Sequence, residues 1–272
     1  MAGVQIAFRR YSPRMGIWGS PWIGLKNFQK FFSSYQFERV FTNTLRLSLY
    51  SLTAGFPLPI ILSLLMNSLR SKRFRSFAEN VTCMPHFIST VVMVGILVQL
   101  FNPKIGLFAS ICHSMGIQDV PNLMATPSAF THMYVWSGIW QSTGWGTVIY
   151  MAALAGVDPE HHEAAVIDGA SRFQRVLYID LPAIVPTIAI TLILKCGSLM
   201  GIGFDKVYLL QNDLNLRASE VIATYVYKVG LSSSGGDFSY ATAIGLFNSV
   251  INLFMLSLVN FISRKVSETS LW

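Results

Sequence analysis

Charge is the first thing this sequence lacks. Only 12% of its 272 residues are Asp, Glu, Lys or Arg, about half the ~25% of a soluble domain, which argues against an ordinary water-soluble protein. Acidic residues are scarcer than basic ones, 13 against 20, giving a net charge of +7. The basic residues cluster beside apolar runs instead of forming a groove, so their excess reads as the positive-inside pattern of a membrane protein and not as a nucleic-acid surface. Cysteine is limited to Cys83, Cys112 and Cys196; the three have no metal-ligand spacing and read as free core thiols. His161-His162-Glu163 offers no chelate, because adjacent residues point to different faces of a helix. No Gly-x-Ser-x-Gly, His-Glu-x-x-His or Gly-x-x-x-x-Gly-Lys-Ser/Thr is present, so none of these hydrolase, metalloprotease or nucleotide-binding signatures is carried by the chain. Repeats of 20 to 50 residues, low-complexity tracts and a cleavable signal peptide are also missing.

What the chain has is apolar length. Hydrophobic residues make up 52%, and mean hydropathy is positive. Five spans are expected, at about 42–69, 81–101, 134–157, 182–204 and 240–262, each long enough to cross ~30 Å of hydrocarbon. The first contains Pro57 and Pro59 and should kink. Arg70-Ser71-Lys72-Arg73-Phe74-Arg75 places four positive charges in six residues, so the loop after the first span belongs to the cytoplasm. The outer loop, 102–133, holds one Lys and no Arg. Residues 1–41 form an extracytoplasmic segment, 42–262 the transmembrane domain and 263–272 a cytoplasmic tail.

Polar groups inside these spans are candidates for a solute path. Lys195, near the middle of the fourth span, is expensive in lipid and should face a partner or a watery cavity. Asn248 and Asn252, one turn apart in the fifth span, and Gln141 in the third could line a path or bond helix to helix. Trp145, close to Gly144 and Gly146, could stack on a sugar ring.

Between the third and fourth spans lies the loop 158–181. Asp158 and Pro159 suit the cap and first position of a helix running to Ile167. Asp168-Gly169 should end it, with Gly169 at positive φ. A second short helix with Phe173, Val176 and Leu177 on one face should follow and break at Leu181-Pro182. On pattern alone this could be an interfacial linker.

The letters of the loop are more specific. Glu163-Ala164-Ala165, Gly169 six residues after the Glu, nine intervening residues and then Ile179-x-Leu181-Pro182 resemble the EAA loop of permease subunits of ATP-binding-cassette importers; Asp168-Gly169-Ala170 is similar to the sugar-importing branch. Ile6 to Tyr11, Trp18 to Phe28, Gly203 to Asn212 and Tyr225 to Leu231 also resemble permeases for complex sugars and polysaccharides, so the likeness covers nearly the whole chain.

This resemblance implies an all-α transmembrane fold of the type I importer, MetI-like kind, embedded in a bacterial plasma membrane. It implies that Glu163, Ala164, Ala165, Asp168, Gly169, Ala170, Leu181 and Pro182 couple to a cytoplasmic ATPase dimer. Further implied partners are a second, homologous permease and an extracytoplasmic sugar-binding protein; ATP and Mg belong to the ATPase, and this chain should bind no cofactor. Such permeases usually have six spans. Five spans and a cytoplasmic C-terminus would put the basic segment 1–41 outside, against the charge rule; a missing first span is the expected explanation, with a true five-span protein held by its partners as the alternative. The alternatives are a permease for a non-sugar solute, a membrane scaffold or an intramembrane enzyme.

Overall fold

The structure is a computed structural model describing residues 2–232 and 236–267. Its labelled helices are α1 (Lys26–Phe32), α2 (Tyr35–Gly55), α3 (Pro57–Asn67), α4 (Lys72–Cys83), α5 (Thr90–Leu100), α6 (Leu107–Ser114), α7 (Pro127–Leu154), α8 (Pro159–Ile167), α9 (Arg172–Arg175), α10 (Leu181–Gly197), α11 (Phe204–Leu210), α12 (Ile222–Tyr227) and α13 (Phe238–Ser267). No strand occurs among the described residues, which hold two isolated bridges, Arg9 to Trp22 and Ser12 to Gly16. Among the described residues the fold is therefore all-helical, as the resemblance implies.

The chain divides into two compact units. The first comprises 1–49, 90–134 and 198–255, the second 50–89, 135–197 and 256–272. The first unit is built on Phe31, Val40, Met200, Ile222, Tyr225, Tyr240 and Ile244. Phe31, Phe37 and Phe247 meet pairwise at 5.0 to 6.0 Å between ring centroids, in the edge-on geometry that suits ring quadrupoles. Its buried charge is Glu220, 2% exposed, which pairs with Arg39 and, at 3.5 Å, with Lys228. Asn43 donates to the carbonyls of Arg217 and Glu220, both at 3.0 Å, so α2 is tied by polar bonds to the segment before α12.

The second unit packs around Met66, Tyr150, Met151, Leu154 and Ile184. Glycines set how closely its helices approach. A Cβ on Gly144 of α7 would lie 1.9 Å from the Thr82 carbonyl oxygen of α4, and one on Gly146 would lie 3.0 Å from the Pro59 ring. Small residues at such crossings let backbones touch where lipid supplies no hydrophobic drive between helices. Tyr150 Oη and Thr191 Oγ1, 2.9 Å apart, add a hydroxyl bond between α7 and α10.

Span boundaries differ from the sequence reading for identifiable reasons. Helices α2 and α3 form one membrane-length run, Tyr35–Asn67, of 33 residues, which takes in 35–41 from the expected outer segment. Pro57 and Pro59 both fall in the first turn of α3, where backbone N–H groups have no intrahelical partner in any case. The expected span at 81–101 is a bent pair, Lys72–Phe87 and Thr90–Leu100, at 92°; Pro85 opens the 3-10 turn Met84–Phe87 that precedes the bend. Of the expected fourth span, only the part to Gly197 is helical, and the helix begins ahead of it, at Arg172. The last span runs Phe238–Arg264; of the tail, 268–272 lie outside the described residues. By length and apolarity the described residues thus hold three spanning helices, or four with the bent pair. Helix α7, 28 residues long, is not among them, because its Gly, Ser, Thr, Gln, Trp and Tyr lower its hydropathy.

Candidate functional site

The loop after α7 is built from local rules. Asp158 caps α8 by accepting from the Glu160 N–H at 3.0 Å, with Pro159 at the first helical position. At the other end Gly169 takes φ +77°. Its N–H donates to the Val166 carbonyl at 3.1 Å, and the Ala170 N–H reaches back to the Ala165 carbonyl at 2.8 Å. Those two bonds are the Schellman closure, and the left-handed residue between them favours glycine. Ser171 then starts α9 with a capping box: its hydroxyl accepts from the Gln174 N–H at 3.3 Å, and its own N–H donates to Gln174 Oε1 at 2.7 Å.

The expected break at Leu181-Pro182 does not occur. From α9 the chain continues through a π turn, Val176–Asp180, into α10. The Leu181 N–H bonds to the Val176 carbonyl, five residues back. The wider turn moves the carbonyl that an α turn would set against the Pro182 ring, and the same helix also holds Pro186 in its interior.

No residue of α8 is buried. Glu163, Ala164 and Asp168 are exposed, while Ala165 and Ala170 are half-buried. Large apolar side chains are also outward: Ile167 is 86% exposed and Phe173 74%. Of the expected apolar face, Phe173 and Leu177 are therefore exposed, while Val176 is half-buried. Beside the loop lies a cavity of about 550 Å³ lined by Asn67, Arg70, Glu163, Arg172, Arg175 and Asp180, among others.

The candidates within the spans separate into two groups. In the second unit Gln141 donates to the Ile88 carbonyl at 2.6 Å, filling an acceptor freed at the 92° bend. Trp145 stacks on His86 at 4.7 Å with the planes 5° apart, and Phe87 meets it edge-on at 6.2 Å. Lys195 is exposed and lies in the last turn of α10, not mid-span, because the helix ends at Gly197. In the first unit Asn252 Oδ1 accepts from the Met200 N–H at 2.9 Å, and Asn248 Nδ2 donates to the Met200 carbonyl at 3.4 Å. These two amides hold the non-helical stretch between α10 and α11, serving backbone groups that have no helical partner.

Sequence reasoning missed His86, Phe87, Phe204 and Tyr227. The last two, with ring centroids 5.0 Å apart, line with Asn248 a largely apolar cavity of about 800 Å³ in the first unit. Pro85 inside an apolar run was the available signal for the bend. Nothing local announces the Phe204 to Tyr227 contact.

All-helical, with membrane-length helices and a capped two-helix elbow between two of its long helices, the chain has the architecture of a transporter permease of the MetI-like fold. It belongs to the family described as the binding-protein-dependent transport system inner membrane component, whose pattern matches residues 55–268. As such it is a non-catalytic, multi-pass membrane subunit. It is similar to protein LplB of Bacillus subtilis (strain 168), 39% identical over 100% of this chain and 85% of that protein. It is also similar to the polygalacturonan/rhamnogalacturonan transport system permease protein YteP of the same organism, 39% identical over 100% of this chain and 84% of the relative. Among solved structures, a crystal structure of a bacterial ABC transporter involved in the import of the acidic polysaccharide alginate matches with a TM-score of 0.89 and 36% identity, over 97% of this chain and 88% of that one.

Proposed function

We propose that this chain forms the translocation path of an ATP-driven importer for an oligosaccharide or polysaccharide fragment, and that α8 couples it to a separate ATPase. The observation that carries the coupling role is the condition of α8. It is closed at both ends by side-chain and backbone caps, yet none of its residues is fully buried and it turns Ile167 outward. A defined helix with no fully buried residue suits a groove on a partner protein.

Glu163, Ala164, Ala165, Asp168, Gly169 and Ala170 form the docking elbow in this reading, and Leu181 and Pro182 join it to α10. The ATPase dimer supplies ATP and Mg chemistry; a second permease completes the membrane part. A complex of the similar alginate transporter contains a periplasmic protein loaded with an alginate pentasaccharide, which supports a sugar-delivering partner here. The name of YteP points to polygalacturonan and rhamnogalacturonan, and that of the alginate transporter to an acidic polysaccharide. ATP binding and the loaded binding protein each favour a different state of the spans by differential contacts, the condition for alternating access.

Five spans are proposed, with α7 among them: its Trp, Tyr and Gly score low on hydropathy but are at home in membrane helices. Loops 70–80 and 156–181 then face the cytoplasm, with 102–133 and 205–239 outside. Path candidates in the second unit are Trp145 with its His86 and Phe87 neighbours, Gln141 and Lys195. Those in the first are Asn248, which lines the aromatic cavity, and Asn252.

The test is Glu163→Lys in the assembled complex, assayed by co-purification of the ATPase and by uptake of galacturonan oligosaccharides into membrane vesicles, with maltotriose as the neutral comparison. The substitution reverses the charge at the middle of α8, on the proposed docking face. Uptake and ATPase retention should both fall while membrane insertion is unchanged. Wild-type values of both would return the loop to the status of a passive linker.

A further inference from the structure

Asp180 occupies the unspecified position of Ile179-x-Leu181-Pro182, and it is 3% exposed. A carboxylate in such a place is costly unless donors surround it. Two reach Oδ1: the Asn67 amide at 3.2 Å and His162 Nε2, also at 3.2 Å. The bonds continue outward. Asn67 accepts from Arg75 Nη1 at 3.3 Å, and Arg75 Nε donates to Glu79 at 2.9 Å.

The members come from three places in the chain. His162 belongs to α8, Asp180 ends the π turn, and Asn67, Arg75 and Glu79 bracket the corner between α3 and α4. Through the backbone α8 is joined to α7 and, by way of α9, to α10. It has no such connection to α3 or α4. Apolar packing cannot supply a strong one, because α8 buries no residue.

We propose that Asp180 is a positioning residue, a buried latch through which movement of α8 reaches the α3–α4 corner as well as its own flanking helices. This rests on the reading of α8 as the ATPase-coupling element. The buried Asp180 carboxylate ties its half-buried partners together, because Asn67 and His162 cannot leave it without stranding a charge away from water.

The test uses the complete complex, both permeases with the ATPase and binding protein, in proteoliposomes supplied with a galacturonan oligosaccharide. Sugar imported and ATP hydrolysed are measured for Asp180→Asn, Asn67→Ala and His162→Ala, and for the pair Asp180→Asn with Asn67→Ala. Each single change should leave assembly intact and lower sugar delivered per ATP by roughly tenfold, an ordinary coupling between touching residues. The pair should be no worse than the worse single change, because both cut the same chain of contacts. Should Asp180→Asn fail to insert, Asn67→Ala and His162→Ala decide the matter, since they leave the carboxylate in place.

An unchanged sugar-to-ATP ratio in the single variants overturns the latch. So does a pair whose losses multiply, which would make Asp180 and Asn67 independent, and so does a loss of assembly that accounts for the whole effect. A wild-type complex that hydrolyses ATP and imports no sugar overturns instead the importer reading beneath it.

Discussion

Replacing Gly169 separates backbone torsion from bulk at the elbow of the loop. The residue sits at φ +77°, and a Cβ built there would meet nothing within 4 Å. Sterics against neighbours are therefore absent, and the cost of a side chain is conformational alone. For alanine that cost is roughly 1 kcal/mol, enough to shift the closed elbow against open alternatives by about fivefold. Asparagine tolerates the left-handed region and should cost much less. Valine, β-branched, should cost more than alanine. What opens is the pair of bonds from Gly169 to Val166 and from Ala170 to Ala165, so α8 would lose its fixed angle to α9 while the spans stay packed. The assay is sugar uptake in vesicles with ATPase co-purification, for Gly169→Asn, Gly169→Ala and Gly169→Val. Activity should fall in that order. If asparagine proved as damaging as valine, size and not torsion would be the operative quantity, and equal, wild-type activity in all three would show that the elbow angle does not matter.

Three further outcomes are expected. Gly144→Ala must push the Thr82 backbone away from α7, and an overpacked crossing of this kind costs roughly 3 kcal/mol, to be seen as a lower melting temperature of the detergent-solubilised protein. Lys206, donating to the Tyr134 carbonyl at 3.0 Å, has its pKa lowered from 10.5 to about 8 by burial. The folded protein then holds fewer protons than the unfolded chain between those values, so stability should be flat below pH 8 and rise by about 3 kcal/mol toward pH 10.5; Lys206→Met should abolish the rise in a pH series of thermal melts. Single cysteines at Ser71 and Asp119, in a background without native thiols, should react with an impermeant reagent from opposite sides of the membrane, and labelling from one side would sink the proposed topology.

The loop was the most legible part of the sequence because its geometry is set by near neighbours. Asp158, Pro159, Gly169 and Ser171 each act on backbone groups within five residues, and their letters suffice to place α8 and its turn. Pro182 misled for the converse reason: the rule that proline ends a helix assumes an α turn before it, and the π turn removes that assumption without any single-residue signature. The amides in the spans were less legible for another reason. Gln141, Asn248 and Asn252 are rare polar groups in apolar runs, which fits a solute path and a helix-break clamp equally well. Only the positions of Ile88 and Met200, distant in sequence, reveal the clamp. Asp180 escaped notice because its partner Asn67 lies 113 residues away, beyond any periodicity.

The π turn has a consequence for register. A π turn is an α-helix with one residue added, and one residue is worth about 100° of rotation and 1.5 Å of rise. Every side chain from Leu181 onward is thus indexed against α9 with an offset that a continuous α-helix would not have. Ile184, 0% exposed, packs with Leu154 and Tyr150 in the core of the second unit; shortening the turn by one residue would swing that side chain by more than a quarter of a revolution relative to the docking elbow. Helix α9 and the membrane helix can in this way present different faces although they belong to one continuous rod, Arg172–Gly197, and the five residues Val176–Asp180 act as the gear that sets the angle between them.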